Sequence, residues 1–275
     1  MASRTTHHGS RSRRPLARVR WVAVVVTAAL VACSGGGEVA SPFTGPATTP
    51  PGPELSTATP VTDPAATVDT GSAVSSSPVP TVTAPEGVVT LSPDGPWRLV
   101  DSAPGVDTPG LVYELMPGLW AYLPVVEDVG AGITWVLNET DRPVIEAYLQ
   151  ARLVYFRSIN QDPMDLDGPG WATWYLDAGA AYMTVLRPRA ERGEHGDLDR
   201  GVVLRPVVLG DERSATSALV VSCTLDGGVI LTADGELADG SSWGVVSTGS
   251  AYRMSLVDGS WRVAEYSSAE GVCAN

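Results

Sequence analysis

Between Ser34 and Pro85 the chain carries ten prolines and ten threonines and almost no large apolar side chains. Such a segment buries too little surface to offset the entropy of ordering it, so it is expected to stay disordered. Whatever folds must come from the last 190 residues, 86–275, which hold seven of the eight tryptophans and all eight tyrosines. That length supports one substantial core.

Upstream, residues 4–20 contain six arginines and no acid, and WVAVVVTAALVA follows from Trp21 to Ala32. Twelve mostly apolar residues are too few to span a bilayer, which needs about 20. A basic stretch, an apolar run and small residues before a cut form a secretory signal instead. The cut site LVAC, Leu30 to Cys33, resembles the bacterial lipobox, which implies a diacylated Cys33 as the new N-terminus. SRRPLAR, Ser12 to Arg18, resembles a twin-arginine signal, and a Sec signal with paired arginines fits the same residues. The expected organisation is a lipoprotein signal peptide at 1–32 and a lipidated Cys33 with its Pro/Thr/Ser-rich tether at 33–85. The folded part is placed on the extracytoplasmic face of the cell membrane. As a coil, the 52 residues from Ser34 to Pro85 reach roughly 40 Å from the lipid.

Losing the signal leaves twelve arginines against thirty-one acids, a formal charge of −19 in place of −13. So acidic a chain excludes nucleic acid as a partner, because phosphate binding needs basic patches. Anionic head groups repel it as well, which leaves the acyl anchor to hold it at the membrane.

Residues 86–137 read as short strands, WRLV, LVYEL, LWAYLP and ITWVL, separated by Gly/Pro/Asp turns. The next run, NETDRPVIEAYLQARLVYFRSI, reads as a helix with Thr140 or Asp141 as cap and Pro143 in its first turn. Ile145, Tyr148, Leu149 and Arg152 share one face of that helix. WATWYLDAGAAYMTVLRPRAERG predicts one or two more helices, interrupted near Gly179 and disturbed by Pro188. Everything after Gly201 alternates or is β-branched, with an Asp258-Gly259 hairpin turn. Helices followed by a run of antiparallel strands are the α+β pattern.

The order ETDRPVIEAYL, WATWYL, then strands ending GSWRVAEY resembles the nuclear-transport-factor-2-like superfamily, which includes SnoaL-like cyclases and ketosteroid isomerase. More narrowly, RPVVLGDERSATSALVVSCTLDGG followed by GSWRVAEYSSAEGVC resembles a group of actinobacterial lipoproteins with that fold. The resemblance spans 138–275. It implies a cone-like domain, helices against a curved antiparallel sheet; the strands of 86–137 lie outside the resemblance and are expected as an N-terminal β-rich annex to that sheet. It also implies pairing into homodimers through the sheet.

Behind a secretory signal the two remaining cysteines, Cys223 and Cys273, are expected to be oxidised, and with Cys33 carrying lipid only one intramolecular bridge is open to them. A redox pair or metal site is disfavoured, since the two lie fifty residues apart without a CxxC.

The mature chain keeps one histidine, His195, in the Gly-rich AERGEHGDLDRG, and reads it as a solvated loop residue. Without a second histidine neither a zinc site nor a Ser-His-Asp triad is supported. DPMDLDGPG lacks calcium-loop periodicity and reads as a turn; NET at Asn138 is an accidental sequon. No metal or cofactor is expected. The superfamily's enzymes place an acid between helices and sheet. On the last strand Glu265 shares the phase of Trp261 and Val263, and Asp177 follows Trp174 by one helical turn, so these two are the candidate bases. Against that, Glu265 can reach solvent or pair with Arg253 on the neighbouring strand. Tyr148, Trp171, Trp174, Tyr175 and Tyr182 are the candidate lining of an apolar cavity. The favoured reading is a non-catalytic, lipid-anchored domain that binds a small hydrophobic ligand or a cell-envelope protein. The alternatives are an isomerase or cyclase-like enzyme with a buried carboxylate, and a structural dimerisation module.

Overall fold

A computed structural model describes residues 82–128 and 135–273. The signal, the lipidation site Cys33 and the tether up to residue 81 lie outside the described residues.

Among the described residues, three α-helices and a large, mostly antiparallel sheet give a mixed α+β architecture. The strands are β1 (Arg98–Val100), β2 (Gly110–Met116), β3 (Leu119–Pro124), β4 (His195–Asp197), β5 (Val202–Val208), β6 (Ser217–Asp226), β7 (Val229–Leu231), β8 (Val246–Val257) and β9 (Ser260–Ser268). Seven of them form one sheet in the order β1-β2-β3-β5-β6-β8-β9, while β4 and β7 pair separately. Every neighbour in the large sheet is antiparallel except β3 and β5. A parallel pair needs a long crossover, and the chain from β3 to β5 supplies it with all three helices: α1 (Arg142–Ile159), α2 (Gly170–Trp174) and α3 (Asp177–Glu191). The strands of 86–137 therefore share a sheet with those of 138–275.

Helix α1 lies across β2, β5, β6 and β9. Its buried positions, Val144, Ile145, Tyr148, Leu149, Arg152, Leu153, Phe156 and Ile159, recur at three- and four-residue steps. They meet Tyr113, Leu115, Leu204, Val220, Tyr252, Met254 and Val263 in the main core. A smaller cluster, Val112, Tyr122 and Val203 with Ala103, occupies the opposite face. This two-sided burial explains why β2 and β3 read as nearly unbroken apolar runs rather than alternating ones.

Local chemistry moves several expected boundaries. ITWVL was expected as a strand, but Trp135 to Leu137 carry no strand structure and lead into α1. Asn138 Oδ1 accepts the Thr140 and Asp141 N–H groups there, while Trp135 Nε1 donates to Asp141 Oδ2 (3.4 Å). Asp141 occupies the cap position without capping. Its carboxylate accepts from Asn138 Nδ2 (2.8 Å) and faces Arg213 (3.5 Å).

The expected break at Gly179 falls instead at Tyr175 and Leu176. Tyr175 is extended (φ −119°, ψ 145°), and Leu176 N–H donates to Val263 O (2.8 Å), so the chain leaves α2 to bridge β9 before α3 begins. Pro188 sits inside α3, which continues to Glu191.

Cys223 and Cys273 are bonded, with Cα atoms 5.1 Å apart. Cys223 is on β6, and β8 lies between β6 and the β9 edge. The tail must cross β8 to reach it, and it crosses at Gly249, the residue paired with Cys223. Ala269 N–H donates to Gly249 O (3.0 Å), and a Cβ on Gly249 would collide with the Ala269 carbonyl oxygen. Only glycine lets the two backbones approach this closely.

Candidate functional site

The helix–sheet interior is not purely apolar. At its centre stands Arg152, buried on the inner face of α1. Its guanidinium carbon lies 4.6 Å from the Tyr155 ring centroid, 4.7 Å from that of Phe156 and 5.5 Å from that of Tyr252. These are cation–π distances. Its Nη1 donates to Tyr182 Oη (3.3 Å), and its Nε has no hydrogen-bond partner among the described residues. Nor, among those residues, does a carboxylate form an ion pair with it.

Around the guanidinium the rings form a continuous set. Tyr148 meets Tyr252 edge-on at 5.0 Å, Trp171 meets Tyr175 at 5.0 Å, and Tyr155 and Tyr175 meet Tyr182 at 5.0 and 5.6 Å. Tyr182 then stacks on Tyr266 at 5.0 Å and 27°. Two buried polar tips are satisfied locally: Tyr175 Oη donates to Ala151 O (2.7 Å) and Trp171 Nε1 to Ser158 Oγ (3.0 Å). Burial raises the Tyr155 hydroxyl to about 12 against the pull of Arg152, and lifts Tyr148, Tyr175 and Tyr182 as well. All four are neutral phenols at physiological pH.

Four of the five residues expected to line a cavity thus come together, but as packed rings around a cation. Trp174 packs at the edge of the core without a ring contact among the described residues. Two surface depressions lie elsewhere. One, of about 460 Å³, is lined by Trp120, Asn160, His195, Asp197 and Asp199 among others; the second, of about 270 Å³, by Met164, Leu166, Arg187 and Glu191 among others. His195 is half-buried in β4, where Gly196 pairs with Ile230, and is not a solvated loop residue. Its Nδ1 is buried without a partner among the described residues.

Neither candidate base reaches the interior. Glu265 is 75 % exposed and faces Arg253 (3.6 Å), which also meets Glu212 (3.8 Å). The reason is a bulge: Arg253 pairs with Glu265 but Met254 pairs with Val263, so Ala264 is an extra residue. An extra residue reverses the alternation. The inner phase of Trp261 and Val263 therefore passes to Tyr266, opposite buried Tyr252, and Glu265 turns outward. Asp177 does not continue the helix of Trp174, because the Tyr175–Leu176 bridge intervenes; it is exposed in the first turn of α3.

Arg152, Tyr155, Phe156, Asp226, Tyr252 and Tyr266 belong to the site and were not among its sequence candidates. Arg152 had been placed on the buried face by its four-residue step from Tyr148, and a charged residue there was the available signal. Tyr266 was hidden by the bulge. Asp226 is the last residue of β6, and burial raises its carboxyl, with the Gly228 N–H (2.9 Å) and the Arg152 charge acting in the opposite direction.

No family model matches the chain, and no curated protein matches it. Among solved structures, the intermembrane space region of the chloroplast protein ARC6 is similar over 48 % of this chain and 98 % of its own, at 12 % identity and a TM-score of 0.37.

Proposed function

We propose that the chain is a lipid-anchored extracytoplasmic binding module of nuclear-transport-factor-2-like architecture. In this reading a diacylated Cys33 holds it to the cell membrane, and the interior between helices and sheet receives a small hydrophobic ligand. The observation that carries the ligand reading is the ring set around Arg152, which runs from the core to the surface at the Tyr182–Tyr266 stack. Tyr266 is 44 % exposed and sits on an edge strand. Parting that single stack reaches the interior without breaking a strand pair. An interior of rings around a fixed polar group is the composition of small-molecule sites. A catalytic role has less support, because Glu265 and Asp177 both face outward.

The experiment is native mass spectrometry of the full chain extracted from its own membrane. A retained small-molecule adduct, released on unfolding, is the expected result; a bare lipidated mass contradicts the ligand reading. In the same spectra, a Cys33→Ala chain should lack the diacylglycerol mass and leave the membrane fraction.

A second reading, docking of a cell-envelope protein, is favoured by the connection between β7 and β8. There Trp243 is 52 % exposed beside exposed Val245 and Val246, with the Arg200 guanidinium 4.7 Å from the Trp243 ring centroid. Exposed Trp and Arg together are the composition of interface hot spots. Trp243→Ala should abolish capture of such a partner and leave the small-molecule adduct in place.

A further inference from the structure

We propose that the interior ligand is a monoanion: a small carboxylic acid with an apolar, ring-bearing body, whose carboxylate pairs with the Arg152 guanidinium. The inference rests on the ligand-binding reading above and adds the charge and head group of the ligand.

An arginine carries five N–H donors in a planar fork. Buried polar groups are nearly always bonded, and a buried charge without a counter-ion is costly. At Arg152 the rings stabilise the charge from their faces, but they do not use the donors in the guanidinium plane. One donation, to Tyr182 Oη, and an unpartnered Nε are what the described residues give it. The nearby acid Asp226 forms no ion pair with Arg152, and its Oδ1 already accepts from Gly228 N–H. A bidentate carboxylate is the group whose geometry matches the open side of the fork. A single guanidinium neutralises one negative charge, so a dianionic phosphate would leave a second charge stranded among tyrosine rings.

The geometry also supplies an entry. Tyr182, the hydroxyl partner of Arg152, stacks on Tyr266, and among the described residues the Tyr266 side chain is held by ring contacts alone, to Tyr182 and to Tyr252 (5.3 Å). A swing of Tyr266 outward lets an aromatic body replace it on the Tyr182 face while its carboxylate reaches Arg152.

The test is equilibrium dialysis of the full chain in nanodiscs, against empty nanodiscs, with a matched pair of probes: 1-naphthylacetate and its neutral analogue 1-naphthylacetamide. The acid should bind at least about tenfold more tightly than the amide, the worth of one charge-assisted hydrogen bond. Arg152→Met should remove that preference and bring acid and amide to similar, measurable affinities, whereas a loss of fold would abolish binding of both. Should the Met variant fail to fold, Arg152→Lys keeps a charge in the cage but loses the fork, and should weaken the acid selectively. Equal binding of acid and amide to the unmodified chain overturns the anion inference and leaves the ligand reading standing. Binding of neither probe overturns both.

Discussion

Glu194 shows how one residue can carry an electrostatic prediction independent of ligand. It is buried at the end of α3 between Arg192 (2.6 Å) and Arg189 (2.7 Å). Burial alone would push its carboxyl up; the Arg192 hydrogen bond and the charges of Arg189 and Arg192 outweigh it and hold the carboxyl below its ordinary 4.5. A depressed folded value means that the ion pair stabilises the fold at neutral pH, and that this stability is lost as pH falls through the folded value. Glu194→Gln should therefore lower stability at pH 7 by about 1–2 kcal/mol, chiefly through Arg189 because Arg192 is screened by solvent. In urea titrations the gap from the unmodified chain should close as pH is taken below 4.5. A gap independent of pH would refute the assignment. Glu194 itself was not legible as a site in AERGEHGDLDRG, since its two partners converge only once α3 ends and the chain turns into β4. Arg152 was half legible: helical spacing put it on the inner face, but spacing does not say whether a carboxylate waits there.

At the scale of elements, strand composition was legible and strand phase was not. LWAYLP matches β3 and SWRVAEYSS matches β9 from end to end. The bulge at Ala264 is an event between two strands, with no sequence signal of its own, and it decides which of Glu265 and Tyr266 faces the rings. Deleting Ala264 removes the extra residue and should leave Glu265 outward and Tyr266 inward in simple alternation, so a thermal melt should report a loss of no more than about 1 kcal/mol. A loss of about 3 kcal/mol or more, the cost of a carboxylate driven inward, would contradict this assignment of the phase. Gly249 is a second such case. Within SSWGVVSTGSAYRMSLVDG it looks like a weak point in a strand; it is the crossing place of the tail. Gly249→Ala should hinder closure of the 223–273 bridge, and alkylation followed by mass analysis of the oxidised protein should then find free thiols. Pro206 falls where a missing N–H does no harm, since β3 pairs with β5 only as far as Leu204.

For the whole molecule, the cysteine reading reached furthest from sequence, because it depended on compartment and count rather than on packing. The bridge closes a span of 50 residues, for which the chain-entropy model gives about 4 kcal/mol. Cys273→Ser should shift the urea midpoint down accordingly, and reductant should shift the unmodified chain by a similar amount and the variant not at all. The α+β class was also legible, from helices preceding strands. The segment 86–137 read as an N-terminal annex to the sheet; the link itself, a parallel contact of β3 with β5 across the whole helical crossover, has no local signal in the sequence. Whether the ring-lined interior receives a ligand through the Tyr182–Tyr266 stack is decided by an experimental structure of the protein purified from its own membrane. The two rings should be found parted, with a ligand between α3 and β9 and its head group at Arg152. A closed stack, with the ligand seated elsewhere or absent, would contradict it.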